Sequence, residues 1–159
     1  MWSFRKITFA ILFLISACGF SPLYNNNNLA KLAGNIDLQE PNTQNEFVFY
    51  SQFKNSFSKR NSKYFLTYGI TTSKKDSALN FDGTAHRIEI SGSVAFSIKE
   101  KENGLEILSG REEMSLSYSN FGSTAAVLNA ERITNKQLVV LLADKVADRI
   151  SLAIVEKGS

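Results

Sequence analysis

The stretch from Ile88 to Ile98 carries an apolar residue or glycine at every second position. Successive side chains of a strand point to opposite faces, so this pattern predicts a strand with one buried face. Four of the five intervening positions are polar, among them Ser91 and Ser93, and the fifth is the small residue Ala95. Strands of this kind are typical of an antiparallel sheet that is covered on one side and open to solvent on the other.

Segments on either side of this strand extend the predicted sheet. Asn103-Gly104 is a favoured hairpin turn, and Leu105 to about Ser119 continues the alternation as a return strand. Tyr64 to Thr72 also alternates and predicts a strand, which a polar loop over 73–84 follows. A short first strand is predicted over Asn35 to Gln39, although its direction relative to its neighbour is left open.

Two helices complete the predicted domain. Thr43-Gln44-Asn45-Glu46 fits a capping box, which opens a helix that runs to about Lys59. Its apolar positions recur every four residues as Phe49, Phe53 and Phe57. A second helix has a 3.6-residue apolar stripe from Val139, begins there or as early as Thr124, and is closed by Gly158.

The order of these segments predicts the fold class. Strand, helix, three strands and helix give an α+β fold, with two helices packed on one face of a four-stranded, mostly antiparallel sheet. We predict that this single domain covers residues 34–159, preceded by two short N-terminal segments.

The first N-terminal segment has the features of an export signal. Arg5 and Lys6 form a basic start, and an apolar run of 11 residues from Ile7 to Ala17 follows. A helix needs about 20 residues to cross the hydrocarbon core of a bilayer, so this run is too short for a membrane anchor. We therefore predict a cleaved signal peptide over 1–17.

Ile15-Ser16-Ala17-Cys18 resembles the bacterial lipobox, in which the cysteine thiol receives a diacylglycerol and the signal is cut before the cysteine. On this interpretation Cys18 is the mature N-terminus and the lipid anchor, and residues 18–33 are a lipidated tether. Acyl chains bind a membrane with about 0.8 kcal/mol per buried methylene. Cys18 is the only cysteine, which excludes an intrachain disulfide.

Removal of the signal changes the charge balance. Without Arg5 and Lys6, 16 of the 18 basic residues remain against 15 acidic ones. The mature chain is therefore close to neutral, and its charge gives no support for nucleic-acid binding.

The mature N-terminus carries a second motif. Cys18-Gly19-Phe20-Ser21-Pro22-Leu23-Tyr24 resembles the opening of the lipopolysaccharide-assembly lipoprotein family (LptE type), in which Cys-Gly-Phe-x-Pro-Leu-Tyr recurs. The chain length and the predicted order of elements extend this resemblance to the whole mature chain.

The resemblance implies a location and partners. Family members lie on the periplasmic side of the outer membrane, plug the large β-barrel of the lipopolysaccharide translocon, are required for its assembly, and bind lipopolysaccharide. Gly19 agrees with this location, because aspartate after the cysteine is the usual signal for retention in the inner membrane. We expect anchoring by the N-terminal acyl chains, and no cofactor or metal.

Two sets of residues are candidates for contacts. The apolar residues of the tether are predicted to dock on the domain's own edge or on the barrel wall; these are Phe20, Pro22, Leu23 and Tyr24. The stretch from Phe47 to Lys75 contains no acidic residue and is the candidate anion-binding surface for lipid phosphates. Its cations are Lys54, Lys59, Arg60, Lys63, Lys74 and Lys75. A solvated basic face is the alternative interpretation.

The sequence favours a protein that is not an enzyme. His86 is the only histidine, and Glu112 and Glu113 are adjacent on a strand, so their carboxylates point to opposite faces. Glycine-rich phosphate loops and nucleophilic serine motifs are absent from the sequence. A second hypothesis remains: a lipid-binding auxiliary lipoprotein of another envelope transport system, which would need a hollow apolar interior.

Overall fold

A computed structural model describes residues 36–57, 62–79 and 85–157. The elements in chain order are β1 (Ile36–Leu38), α1 (Gln44–Phe57), β2 (Tyr64–Leu79), β3 (Ala85–Glu100), β4 (Glu106–Ser119) and α2 (Thr124–Lys157). This order confirms the predicted α+β fold. The predicted signal peptide, Cys18 and the tether lie outside the described residues.

The four strands form one sheet in the order β1-β2-β3-β4, with antiparallel pairing between β2, β3 and β4. Even-numbered residues pair with even-numbered residues along most of these strands, as in Leu66 with Ile98 and Ile90 with Leu116. The even positions therefore share one face, where Leu66, Ile90 and Val94 are buried. Both helices pack on this face.

The structure defines the direction of the first strand relative to its neighbour, which the sequence left open. β1 pairs parallel to β2, with Ile36 opposite Tyr64 and Leu38 opposite Leu66. Parallel neighbours need a crossover connection, and α1 provides it.

The capping box of α1 is confirmed. The Thr43 hydroxyl accepts a hydrogen bond from the Glu46 amide at 3.2 Å, and the Glu46 carboxylate accepts one from the Thr43 amide at 3.2 Å. The aromatic stripe is in the core, where the ring centroids of Phe49 and Phe53 are 5.8 Å apart and those of Phe53 and Phe57 are 4.8 Å apart. The predicted end of this helix at Lys59 lies outside the described residues.

The C-terminal helix α2 has 34 residues and begins at Thr124, the earlier of the two predicted starts. The Ser123 hydroxyl accepts a hydrogen bond from the Ala126 amide at 3.3 Å and caps this end. Its stripe of Leu138, Leu142, Val146 and Ile150 is fully buried. In the described part of the chain, neither helix is both long and apolar enough to span a membrane.

The predicted polar loop over 73–84 is wrong in its first half, because β2 continues to Leu79. Ser73 pairs with Ser91 and Lys75 with Glu89, so backbone hydrogen bonding to β3 outweighs the weak strand propensity of these polar residues.

The predicted two-residue turn is also corrected. The loop between β3 and β4 covers residues 101–105, and the Gly104 amide donates a hydrogen bond to the Glu100 carbonyl oxygen at 2.9 Å. Gly104 has a φ of 69°, a conformation that glycine adopts readily. The Asn103 side chain accepts a hydrogen bond from the Leu105 amide at 2.9 Å. These local bonds favour the longer loop, so the return strand begins at Glu106.

Candidate functional site

The described members of the predicted anion-binding set do not form one surface. Lys63 precedes β2, whereas Lys74 and Lys75 are near the far end of that strand. A strand rises about 3.3 Å per residue, which separates Lys63 from Lys74 by roughly 36 Å. Lys74 and Lys75 also point to opposite faces because they are adjacent in the strand. Lys59 and Arg60 lie outside the described residues.

Lys63 is paired with an acid at the hairpin end of the sheet. Its ammonium is 2.9 Å from a carboxylate oxygen of Glu100. This hydrogen bond raises the pKa of Lys63 and lowers the pKa of Glu100. Because the Lys63 ammonium is already bonded to Glu100, it is less available to bind an anion from another molecule.

Lys74 belongs to a polar cluster that joins β2, β4 and α2. Its ammonium is 2.6 Å from the Glu131 carboxylate, which also accepts a hydrogen bond from the Tyr118 hydroxyl at 3.2 Å. The hydrogen bond between Lys74 and Glu131 raises the pKa of Lys74 and lowers that of Glu131. Burial, followed by the charge of Glu131, raises the pKa of Tyr118.

Lys54 and Lys75 form no ion pair with the described part of the chain. Lys54 lies on α1, with its ammonium 5.2 Å from the centre of the Tyr50 ring and 3.4 Å from the Tyr50 hydroxyl. Lys75 is exposed on β2. These two cations stay accessible on different elements.

His86 lies in β3, but its side chain is outside the described part.

The open face of the sheet is a surface that the sequence analysis did not single out. The odd positions of β2, β3 and β4 carry many small hydroxyl side chains, and we call this surface the hydroxyl face. Its members are Thr67, Thr71, Ser73, Ser91, Ser93, Ser97, Ser109, Ser115, Ser117 and Ser119. Alternation of serine with apolar residues was the signal that could have identified it.

Hydroxyl groups on this face bond to one another across the strands. The Thr71 and Ser93 oxygens are 2.8 Å apart, as are those of Ser91 and Ser115. Arg111 donates a hydrogen bond from Nη2 to the Ser93 hydroxyl at 2.9 Å. The face is therefore polar, and its hydroxyl groups can both donate and accept hydrogen bonds.

A second surface lies between the two helices, on the side away from the sheet. This helix groove is lined by the exposed apolar side chains of Phe47 and Ile133, by the cations Arg132 and Lys136, and by several amides. The Asn135 amide donates a hydrogen bond to the Asn45 side-chain oxygen at 2.8 Å and so links the helices. No carboxylate lines the groove in the described part of the chain. Because apolar and cationic side chains lie next to each other in this groove, it is suited to bind an anionic amphiphile.

Comparisons with known proteins find this architecture in several solved structures. No protein-family model and no curated protein sequence matches the chain. Among solved structures, a candidate lipoprotein of Caulobacter crescentus CB15 superposes with a TM-score of 0.67 at 17% identity, covering 83% of this chain and 98% of that one. Rare lipoprotein B of Shewanella oneidensis superposes with a TM-score of 0.63 at 12% identity, covering 79% of this chain and 98% of the other. The chain has the fold of these bacterial lipoproteins.

A further structure extends the likeness. A minor lipoprotein of Acinetobacter baumannii superposes with a TM-score of 0.55 at 18% identity, covering 74% of this chain and 89% of that one. These superpositions show that the chain shares the fold of bacterial lipoproteins. Because the sequence identities are low, the roles of individual residues have to be argued from this chain.

Proposed function

We propose that this chain is an outer-membrane lipoprotein that is required for assembly and function of the lipopolysaccharide translocon. It is anchored by acyl chains on Cys18 at the periplasmic face, plugs the β-barrel of the translocon and binds lipopolysaccharide. Its role is structural rather than catalytic.

The observation that carries this proposal is the combination of fold and N-terminal sequence. The domain has a fold found in bacterial lipoproteins, and the chain has its own lipobox-like sequence ending at Cys18. The motif from Cys18 to Tyr24 then favours the lipopolysaccharide-assembly family over other lipoproteins.

The described interior favours a plug over a lipid carrier. A carrier needs a hollow apolar space, whereas Phe49, Phe53 and Leu142 are fully buried between the helices and the sheet. A barrel lumen is polar. The hydroxyl face supplies a matching surface, since its serines and threonines can bond to polar side chains of a lumen wall.

The helix groove is the surface that best suits lipopolysaccharide. The phosphates of lipopolysaccharide would receive charge-assisted hydrogen bonds from Arg132 and Lys136, and Phe47 and Ile133 would contact one of its acyl chains. In contrast to Lys63 and Lys74, neither Arg132 nor Lys136 forms an ion pair with the described part of the chain.

The test is co-purification. The acylated protein is isolated from outer membranes in mild detergent, and accompanying proteins are identified and quantified by mass spectrometry. We expect a large β-barrel in a one-to-one ratio. A Cys18→Ala variant, which lacks the acylated thiol, is the matched control and should be lost from the outer-membrane fraction. Recovery of an inner-membrane transporter, or of lipid without a barrel, would replace this proposal with the auxiliary lipoprotein.

A further inference from the structure

The loop between β3 and β4 contains the only Asn-Gly pair of the chain, Asn103-Gly104. An asparagine that precedes glycine can react with the backbone, because glycine has no side chain to hinder the approach of its amide nitrogen. Both residues are exposed, so water reaches them. A Cβ atom at position 104 would meet nothing within 4 Å, which leaves space for the reaction.

The reaction forms a succinimide ring from these two residues. The Gly104 nitrogen loses its proton and attacks Cγ of Asn103, so that a bond between these two atoms forms and the bond from Cγ to Nδ2 breaks. Nδ2 takes up a proton and leaves as ammonia. Water then opens the ring at either carbonyl carbon, which leaves aspartate or isoaspartate at position 103.

The loop holds one group in a position that favours this reaction. The Leu105 amide donates a hydrogen bond to Oδ1 of Asn103 at 2.9 Å. Negative charge develops on this oxygen when the Gly104 nitrogen attacks Cγ. A donor that is already in place stabilises that charge, as in an oxyanion hole.

Glu100 opposes the reaction at both of its ends. Its carboxylate accepts a hydrogen bond from Nδ2 of Asn103 at 2.7 Å, and its backbone oxygen accepts one from the Gly104 amide at 2.9 Å. The first bond has a charged acceptor and is therefore strong, and it holds the leaving group. The second holds the proton that the attacking nitrogen has to lose. Both bonds have to break before the ring can form.

Lys63 keeps the Glu100 side chain in this position. Its ammonium is 2.9 Å from Oε1 of Glu100, whereas Asn103 is bonded to Oε2. The hydrogen bonds from Lys63 and Asn103 lower the pKa of Glu100, so the carboxylate is ionised at neutral pH. An ionised carboxylate accepts hydrogen bonds and has no proton to give to the departing nitrogen.

We propose that Asn103 is a site of spontaneous conversion to aspartate and isoaspartate, and that Glu100 sets the rate. Conversion replaces the amide that donates to Glu100 by a second carboxylate, which repels the first. Isoaspartate also lengthens the backbone of the loop by one carbon atom. The inference rests on this loop alone and does not depend on the proposed function.

The test is incubation of the full chain in detergent micelles at mildly alkaline pH, with isoaspartate at position 103 measured over time by peptide mass spectrometry. The same chain unfolded in urea gives the rate without protection. The folded wild type should convert at least about tenfold more slowly than in urea, because these hydrogen bonds have to break first. Glu100→Ala should convert at least about fivefold faster than the folded wild type, since the bond to Nδ2 is lost.

The matched control is Glu102→Ala, which removes the same charge from an exposed position of the same loop and should leave the rate unchanged. Glu100→Gln keeps the size of the side chain and should give a smaller increase than Glu100→Ala. Circular dichroism shows which variants are folded. Equal rates for the Glu100 and Glu102 variants would overturn the proposal. A folded wild type that converts as fast as in urea would also overturn it, as would a folded Glu100→Ala without conversion at position 103.

Discussion

Gly92 of β3 lies directly beneath Leu142 of α2, so close that a Cβ atom at position 92 would be 3.0 Å from Cδ1 of that leucine. The same atom would be 3.0 Å from Cδ2 of Leu138. Both leucines are fully buried and have little room to move. The absence of a side chain at Gly92 thus allows α2 to lie against the sheet.

Substitution of Gly92 should therefore destabilise the fold. We expect Gly92→Val to lower the free energy of unfolding by about 1–3 kcal/mol through overpacking. Gly69→Val is the matched control, because a Cβ atom there meets nothing within 4 Å. Urea unfolding of the two variants measures the difference. Equal loss of stability at both positions would show that the contact with α2 is unimportant.

The Tyr68 hydroxyl should make stability fall at alkaline pH. Burial raises its pKa from 10.0 to about 12, and the charge of Glu46 adds to the effect. A raised pKa means that folding disfavours the tyrosinate, so this contribution to stability is present below pH 10 and is lost as pH rises towards 12. Tyr68→Phe should lack this loss. Urea midpoints of both proteins measured from pH 9 to 12 test this, and parallel curves would contradict it.

The Glu131 carboxylate should make stability fall at acid pH. The hydrogen bond from Lys74 lowers its pKa below 4.5, so the folded state favours the ionised carboxylate. Its contribution is present above pH 4.5 and is lost as pH falls through the lower folded-state pKa. Glu131→Gln should be less sensitive than the wild type below pH 4.5. Thermal unfolding from pH 2 to 6 measures this, with Glu89→Gln as a control for a half-buried carboxylate outside the cluster.

Charge reversals distinguish the two candidate surfaces for lipopolysaccharide. In the helix groove, Arg132→Glu with Lys136→Glu should weaken binding about tenfold or more, because two charge-assisted hydrogen bonds become repulsions. The set predicted from sequence is tested by reversal of Lys59, Arg60 and Lys63. Binding is measured by titration with purified lipopolysaccharide, after circular dichroism has shown that each variant is folded. If only the second set weakens binding, the groove is not the site.

Side-chain periodicity made most of the fold predictable. The alternation around Gly92, the capping box of Thr43 and Glu46, and the phenylalanine stripe of α1 each report a local geometry that the sequence encodes directly. The polar segment after Thr72 was predicted wrongly because its strand structure comes from pairing with β3, which is a non-local interaction. For the same reason, the parallel direction of β1 could not be read from its own residues.

The candidate site was harder to predict than the fold. Six cations in one stretch of sequence suggested one surface, yet an extended strand places Lys63 and Lys74 far apart, and each is paired with an acid from another element. The helix groove brings Phe47 of α1 next to Ile133 of α2. These residues are distant in sequence, so only the packing of the two helices reveals the groove.

Depletion of the chain in its native bacterium tests the central claim most directly. The measurement is the amount of lipopolysaccharide that reaches the cell surface, determined by surface labelling as the protein is depleted. The account predicts that surface lipopolysaccharide falls, that the large β-barrel fails to assemble, and that the wild-type chain, but not the Cys18→Ala variant, restores both. Normal surface lipopolysaccharide and a normally assembled barrel in fully depleted cells would contradict it.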